Sequence, residues 1–580
     1  MATEDALESA IRSGWIPAST SDLETSLRQS APAVQRCLVT LAERVEKLSE
    51  VGAALSAERN PGRLLRLILT EARHLTNADG GTLYLLDEDR RHLRFEIVQT
   101  GSLGIDMGGS AGQEITWDPL PMVLEDGSPN HQNVSTHTAL TGQVINIPDV
   151  YSVEGFDFSG TRTFDASTGY RSRSMLVLPL TNHEEEIIGV LQLLNALDPG
   201  SGEVVAFSRE SERLARALAS QAAIAVTNTM LIRELKELFD ALIRVIATAV
   251  DEKSPYTGGH IVRVARLTMR LAEEINADQD SELAAVTFSE EEMEELRIAA
   301  WLHDVGKITT PEYVMDKSTK LETIYDRIHT VALRYEILKR DQIIARLRDR
   351  ETESQADGAA PTPDTAAKAG SPDDLEAELV WLQQANVGGE SISEDRRQKI
   401  EAIAQKTYEL DGERRPVLEP DERRNLQIAR GTLNQGEREV IRNHVVTTRN
   451  MLEQLPFPKH LRRVPEYAGS HHELLDGSGY PRGLQGDEVP IQARIMALAD
   501  IFEALTAADR PYKPGKKLSE VMRILRKLVN KGQLDPRIFR LFIRSGLLQE
   551  YVEEHMNPAQ ADIVRYDETG VPLESASEAS

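Results

Sequence analysis

Cysteine is nearly missing from this 580-residue chain: the single Cys37 excludes an intrachain disulfide and fits a reducing compartment. Cys37 sits in a helical pattern, and no reactive role is assigned to it. Long hydrophobic runs are missing too. No apolar stretch approaches the roughly 20 residues of a membrane-spanning helix, and the acidic start from Met1 to Glu8 does not read as a signal peptide. Basic residues are in deficit, 66 Lys and Arg against 93 Asp and Glu, for a net charge of −27. Such a surface repels phosphate polymers and anionic bilayers, which excludes generic nucleic-acid or membrane binding. A cytoplasmic protein is expected. Any anionic substrate must then be drawn by local positive charge or by metal.

What is present exceeds one hydrophobic core, so the chain is expected to be multidomain. Residues 1–50 read as a helical N-terminal extension, with Leu38, Leu41, Val45 and Leu48 at helical spacing. From 51 to 210 the pattern is mixed: a helix over Leu64–Leu75, then strands at Thr82–Leu86, Leu93–Val98, Ser174–Leu180 and Ile187–Leu194. That order describes an α+β sensor domain. Between Ser211 and Val250 there is neither proline nor glycine. Leu214, Ala217, Gln221, Ile224, Asn228, Leu231, Leu235, Leu238, Leu242, Val245 and Ala249 keep three-four spacing there. This is a heptad seam, and the polar Gln221 and Asn228 would fix its register and partner number. A homodimer through the 211–250 helix is expected, with packing against flanking domains as the alternative.

Chemistry concentrates further on. The stretch His471-His472-Glu473-Leu474-Leu475-Asp476-Gly477-Ser478-Gly479-Tyr480-Pro481 sets two imidazoles and two carboxylates before a glycine-rich turn. Adjacent residues on a helix do not share a face, so the pair can serve one centre only at a helix end. Nitrogen beside oxygen donors suits iron, manganese, zinc or nickel better than calcium. Two solvated histidines at a helix end is the bland alternative. His260 lies upstream, followed by an apolar run ending in His303-Asp304 and Lys307. His444 and Asp500 each fall on a helical pattern. A buried His-Asp doublet is costly without partners, and a metal supplies one.

Two resemblances follow from these residues. Asn146-Ile147-Pro148-Asp149, Phe164-Asp165, Thr168-Gly169-Tyr170-Arg171-Ser172-Arg173-Ser174 and Ile188 to Asn195 resemble a GAF domain. Cyclic-nucleotide-binding GAF domains carry Asn-Lys, Phe and a paired acidic motif. This chain has Asn195-Ala196, Phe207 and Ser211-Glu212, without the lysine, so the resemblance leaves open a small-molecule ligand or an empty dimerisation module. The ordered set His260, His303-Asp304, His444, His471-His472 and Asp500, with Gly306-Lys307, the HHExxDGxGYP stretch and Arg510-Pro511-Tyr512-Lys513, resembles the HD-GYP branch of the HD phosphohydrolases over 240–340 and 430–545.

The second resemblance implies an all-α domain whose metal ligands are His260, His303, Asp304, His444, His471, His472 and Asp500. Asp304 would bridge two divalent ions, iron or manganese first and zinc or nickel next. It implies hydrolysis of cyclic di-GMP to linear pGpG, GMP or both, with Asp304 and Lys307 catalytic. Lys307, Tyr480, Arg510 and Lys513 would contact substrate. A metal pair suits that reaction because it lowers the pKa of a bound water from about 15.7 to about 7. A non-catalytic nucleotide-binding or partner-recruiting protein, and a phosphohydrolase of a mixed cyclic dinucleotide, are the alternatives.

Three features depart from the family. Tyr256 stands where three-metal members carry Glu, which favours two metals. Asp500 to Arg510 is one residue longer than the family spacing. A helical insertion at 341–424, with a disordered tract around 354–372, splits the domain into 251–340 and 425–560. His329, near the interruption, is taken as structural because Leu433 to His444 keeps the family interval. An acidic tail, 561–580, is expected to be disordered.

Overall fold

The computed structural model describes residues 46, 49–109, 113–253, 258–279, 281–355, 372–388, 392–507, 515–563 and 565–573. Most of the 1–50 extension lies outside them, as do Cys37, Tyr256, Arg510, Lys513 and most of the 354–372 tract. The chain separates into two compact units at Leu238/Phe239.

In the first unit, helix α1 (Pro61–Thr76) starts where the Asn60 side chain accepts the Arg63 N–H, and ends at Asn77 in the left-handed region. An antiparallel sheet follows: β1 (Ala78–Leu86), β2 (His92–Thr100), β3 (Ile105–Gly108), β4 (Leu120–Pro121), β5 (Ile145–Ile147), β6 (Met175–Thr181), β7 (Ile187–Leu197) and β8 (Val204–Val205). Its spatial order is β3-β2-β1-β7-β6-β5, with β4 on β2 and β8 on β7. Strand alternation splits the apolar residues between two faces. Leu83, Leu176, Leu178, Leu191 and Leu193 pack under α1, whereas Tyr84, Val177 and Val190 join a cluster with Val134 and Phe158. Helices α2 (Val134–Thr141) and α3 (Ser159–Thr168) belong to this second side of the domain.

Helix α4 runs 43 residues, Arg209–Asp251, or about 65 Å. Its residues Ala215, Leu218, Ala219, Ala222, Ala223 and Val226 complete the first core, and Ile243, Ala247 and Val250 enter that of the second unit. The heptad positions face elsewhere. Ile224, Leu231, Leu235, Leu238, Leu242 and Val245 are 42–67% exposed, and Leu214 alone of the seam is half-buried.

The second unit is helical, apart from one hairpin. Helices α5 (His260–Ala277) and α6 (Glu290–Leu302) lead to a 3-10 turn at Val305–Thr309. An inserted piece follows: α7 (Ile328–Gln355), α8 (Pro372–Asn386), α9 (Glu394–Ala404), the hairpin β9 (Thr407–Leu410) and β10 (Glu413–Pro416), and α10 (Pro420–Leu426). It has its own core, in which Leu375, Leu379, Ile400, Val417 and Leu418 pack with Leu321, Ile328, Val331 and Tyr335 from before position 341. Helix α9 stops at Ala404, short of the hairpin in which Thr407–Pro416 pair as strands. The chain then resumes with α11 (Gln435–Leu452), α12 (Val464–Ala468), α13 (Ile491–Thr506), α14 (Leu518–Asn530), α15 (Pro536–Arg544) and α16 (Leu547–His555) around the main core. Order continues past 561: Tyr566 is buried in that core and bridges to Pro572, so the described part of the tail is not disordered.

One close approach fixes the future site. The 3-10 turn lies directly on α11, where a Cβ at Gly306 would come within 2.1 Å of the His444 carbonyl oxygen. The Gly306 N–H donates to Thr448 Oγ1 at 2.9 Å. Only glycine lets the turn carrying His303-Asp304 meet the helix carrying His444.

Candidate metal centre

Six segments, some of them helix ends or turns and two of them helix interiors, deliver the seven side chains to one hollow of the second unit. His260 opens α5, His303 caps α6, Asp304 begins the 3-10 turn, His444 lies mid-way along α11, and Asp500 lies on α13. His471 and His472 follow the end of α12 at Ala468, so both imidazoles of an adjacent pair turn inward. Three sets bring ligand atoms within 4.8 Å of one another: His444, His471 and His472; His260, His303 and Asp500; and His303, Asp304 and His471.

Asp304 joins the first two sets. Its Oδ1 lies 3.2 Å from His444 Nε2 and 3.9 Å from His471 Nε2, while its Oδ2 lies 3.2 Å from His303 Nε2 and 3.4 Å from His260 Nε2. Each carboxylate oxygen thus faces a different cluster. Asp500 spans the same pair, with Oδ1 3.3 Å from His260 Nε2 and Oδ2 3.6 Å from His472 Nδ1.

The histidine tautomers are set by what lies behind them. Nδ1 of His303, His444 and His471 donates to the carbonyls of Ala300, Ile441 and Ala468, at 2.7, 2.5 and 2.6 Å. Nδ1 of His260 is bonded to Glu503, which also accepts from Arg263 at 2.7 Å. The rings of His303, His444 and His471 therefore aim a bare Nε2 into the hollow, and His260 directs its Nε2 there too. Those four Nε2 atoms and Asp304 Oδ1 are buried with no hydrogen-bond partner. An unsatisfied buried polar atom costs on the order of 1–3 kcal/mol, and five in one place is an arrangement that divalent cations resolve. Imidazole nitrogen and carboxylate oxygen are donors that iron, manganese, zinc and nickel accept. The residues present fit such ions.

Charge in the hollow follows from burial and neighbours. Burial opposes ionisation of Asp304, but Lys307, His303 and His260 outweigh it and hold its carboxyl well below the usual range. Burial lowers His471 well below an ordinary imidazole, and it brings His472 down to about 4, His444 reinforcing and Asp500 opposing. Both rings are neutral at pH 7, as ligation requires. His260 is the exception. Burial disfavours its charge, but Asp304, Asp500 and Glu503 raise it well above normal, so metal must displace a proton there. Lys307 Nζ sits 2.5 Å from Asp304 Oδ2, and its pKa is raised by Asp304 and Asp500 against burial. It is an ammonium, not a base.

Other expected residues divide cleanly. The Tyr480 ring packs 4.9 Å from the His472 ring, and the Tyr480 N–H donates to the His472 carbonyl. Glu473 and Asp476 do not face the hollow. Glu473 accepts the N–H groups of Arg482 and Leu484 at 2.7 and 3.0 Å, and exposed Asp476 holds Ser478. Both shape the turn, and Gly479 has no room for a Cβ, which would lie 2.3 Å from the Leu474 nitrogen. His329 is exposed on α7 and belongs to none of the clusters. Two acidic residues escaped the sequence reading. Glu503 had one signal, its place three residues after Asp500 and so on the same helix face. Asp251, at the end of α4, accepts the Ile261 N–H at 3.3 Å and has its pKa raised to about 6, mainly by burial; no motif marks it.

Comparison with known proteins agrees with the two-part architecture. A GAF domain model matches residues 60–226, and HD domain models match 257–381 and 417–538. The 3'3'-cGAMP-specific phosphodiesterase 1 of Vibrio cholerae is 46% identical over 123 residues, 21% of this chain and 27% of that protein. A cyclic di-GMP phosphodiesterase of Thermotoga maritima is 38% identical over 114 residues, 20% of this chain and 30% of that protein. The 3'3'-cGAMP-specific phosphodiesterase 2 of Vibrio cholerae is 25% identical over 317 residues, 54% of this chain and 36% of that protein. The chain thus spans between about a quarter and a third of the length of these relatives. Among the described residues no helix is long and apolar enough to cross a membrane.

Outer partners of ligating histidines tune affinity by about 10- to 100-fold. Glu503→Gln should therefore weaken divalent-metal binding by about tenfold or more while the fold persists. Chelator competition, with circular dichroism as the control, measures it; unchanged affinity would deny Glu503 its role behind His260.

Proposed function

From a chain that carries a GAF domain and an HD domain, we propose a metal-dependent phosphodiesterase that hydrolyses cyclic di-GMP to linear pGpG, GMP or both, under control of the GAF domain. The observation that carries the reading is the set of five unpartnered buried ligand atoms around Asp304. The names of the relatives support the substrate class. His260, His303 and Asp500 would hold one ion and His444, His471 and His472 a second, with Asp304 shared. When bound, the pair supplies Lewis acidity toward phosphoryl oxygens and acidifies the attacking water.

The chain's own residues do the rest. The carbonyls behind His303, His444 and His471 keep protons off their Nε2 atoms, so no ligand must be deprotonated there. Lys307, held charged beside Asp304, offers its ammonium to a phosphoryl oxygen or to the leaving oxygen, where developing charge is greatest. Burial and the charge of Asp500 raise the Tyr480 phenol above its ordinary pKa, so it stays protonated and binds as a donor at the rim. Arg510 and Lys513 are assigned to the second phosphate or a guanine edge by family resemblance. Every ligand position is filled, which weighs against a non-catalytic role. A mixed cyclic dinucleotide is the second reading, favoured by the 46% identity to a 3'3'-cGAMP enzyme over part of the chain.

Regulation has a physical route on each side of α4. The GAF sheet encloses a cavity of about 570 Å³ walled by Tyr84, Phe95, Trp117 and Phe164, with Asp157 the single charged residue among its described lining. A phosphate would find no cation there. Asn195 is committed to the Arg173 N–H and the Arg171 carbonyl, and Phe207 is buried in the sheet core. An uncharged aromatic ligand suits the cavity better than a cyclic nucleotide. At the other end of α4, Asp251 holds the first turn of α5 beside His260, and Lys253 Nζ donates to the carbonyls of Lys307 and Ile308. A shift of the helix end would thus be felt by two metal-bearing segments. The exposed heptad face of α4 suits a parallel homodimer in the cytoplasm.

Three outcomes are expected. Purified, metal-analysed protein incubated with cyclic di-GMP and 3'3'-cGAMP should give linear products by chromatography, with cyclic di-GMP the better substrate. His303→Ala with Asp304→Ala should cut turnover by at least about a hundredfold; full activity in that variant would reject the mechanism. Asn228→Leu should change the sedimentation coefficient or the basal turnover, because a polar seam residue sets partner number. A monomeric wild-type protein would rule out the seam.

A further inference from the structure

A second cavity lies in the same unit, between the inserted piece and the helix that carries His444. It measures about 450 Å³ and is bounded by α10 of the insertion and the first turns of α11. Its polar lining is Arg424, Asn434, Gln435, Arg438, Glu439 and Arg442, three cations against one carboxylate in a chain of net charge −27. Local positive charge of this kind is what an anionic substrate needs here.

The cations are differently engaged. Arg424 pairs with Asp421 at 3.1 Å. The Arg438 guanidinium donates only to backbone carbonyls, those of Leu433 and Arg430. Arg442 is exposed, and its contact among the described residues is with a ring: its guanidinium carbon stands 5.1 Å from the centre of Tyr480. Neither Arg438 nor Arg442 pairs with a carboxylate among the described residues. Tyr480 in turn packs on His472. The contacts His472–Tyr480 and Tyr480–Arg442 therefore link a residue of the metal hollow to a residue of the basic cavity.

Resting on the reading of a cyclic-dinucleotide substrate, we propose that this cavity is a second-phosphate subsite whose outer edge is built by the inserted piece, which leaves a guanine edge to Arg510 and Lys513. A cyclic dinucleotide presents two phosphodiesters on opposite sides of one ring. With one at the metals, the other must find cations away from them. Arg442 and Arg438 lie one helical turn apart, about 6 Å, on a line leading out from Tyr480. A guanidinium offers paired N–H donors that match two phosphoryl oxygens. Arg442 is already held against Tyr480, so less side-chain freedom is lost on binding than for a freely moving arginine. Arg424 comes from α10, so the interruption of the HD domain contributes to substrate binding.

Two substrates test the subsite. Bis-para-nitrophenyl phosphate has one phosphodiester and no second anionic group, whereas cyclic di-GMP has both. In full-length, metal-loaded protein, Arg442→Gln should lower the ratio of kcat/KM for cyclic di-GMP to that for the small diester by about tenfold, mostly through KM. Arg424→Gln should lower it by about threefold, and Arg442→Lys should restore part of the loss. A phosphorothioate analogue of the cyclic dinucleotide should bind Arg442→Gln correspondingly more weakly by equilibrium dialysis. An unchanged ratio in both glutamine variants, or equal losses on the two substrates, would overturn the subsite. Wild-type protein that cleaves the small diester but no cyclic dinucleotide would instead overturn the substrate reading beneath it. Cleavage of neither would overturn the catalytic reading itself.

Discussion

Asp304 sits between two clusters of imidazoles with one carboxylate oxygen turned to each. An anion buried at 1% exposure is tolerable only if positive charge closes around it. Lys307 supplies part, and the imidazole nitrogens around Asp304 are donors through which cations would supply the remainder. Much of the helical unit can be understood as the means of holding that carboxylate. Gly306 lets its turn press against α11, the carbonyls of Ala300, Ile441 and Ala468 aim the rings, and Glu503 backs His260. The stability given up to five unsatisfied buried atoms is recovered only when cations arrive, so folding and metal uptake should be linked.

How far the amino-acid sequence exposed this arrangement differs from residue to residue. His303-Asp304 stands out because an adjacent polar pair ends an apolar run, whereas His471-His472 alone also reads as two solvated histidines at a helix end and gains meaning only with the other residues of the set. His444 had a rival in His329, and chain spacing separated an exposed histidine from a buried one. Glu473 and Asp476 had the same chemistry as the candidate ligands and lie next to them, but their oxygens are consumed by backbone N–H groups of the Gly-Tyr-Pro turn. That is a matter of turn geometry, which composition does not reveal. Glu503 and Asp251 act through partners more than 240 positions away and 10 positions away respectively, neither with a local signature.

The fold followed a similar division. Strand alternation and helix periodicity identified the sheet and the main helices, since burial on one face imposes a period that can be read directly. The inserted piece was harder. Its apolar residues serve a small core that borrows Leu321, Val331 and Tyr335 from the flanking chain, so its edge in space does not coincide with its edge in sequence. Tyr566 escaped because one buried aromatic in an acidic tail leaves no periodicity. Charge is what would tie the insertion to the proposed function: Arg424 of the insertion lines one cavity with Arg438 and Arg442 in a chain of net charge −27.

Diffraction from crystals soaked in manganese, with data collected at an anomalous wavelength, measures the central claim most directly. Two anomalous peaks should appear within the hollow, each in contact with a different oxygen of Asp304. A single ion that leaves Asp304 untouched, or ions bound only at other acidic groups, would contradict it.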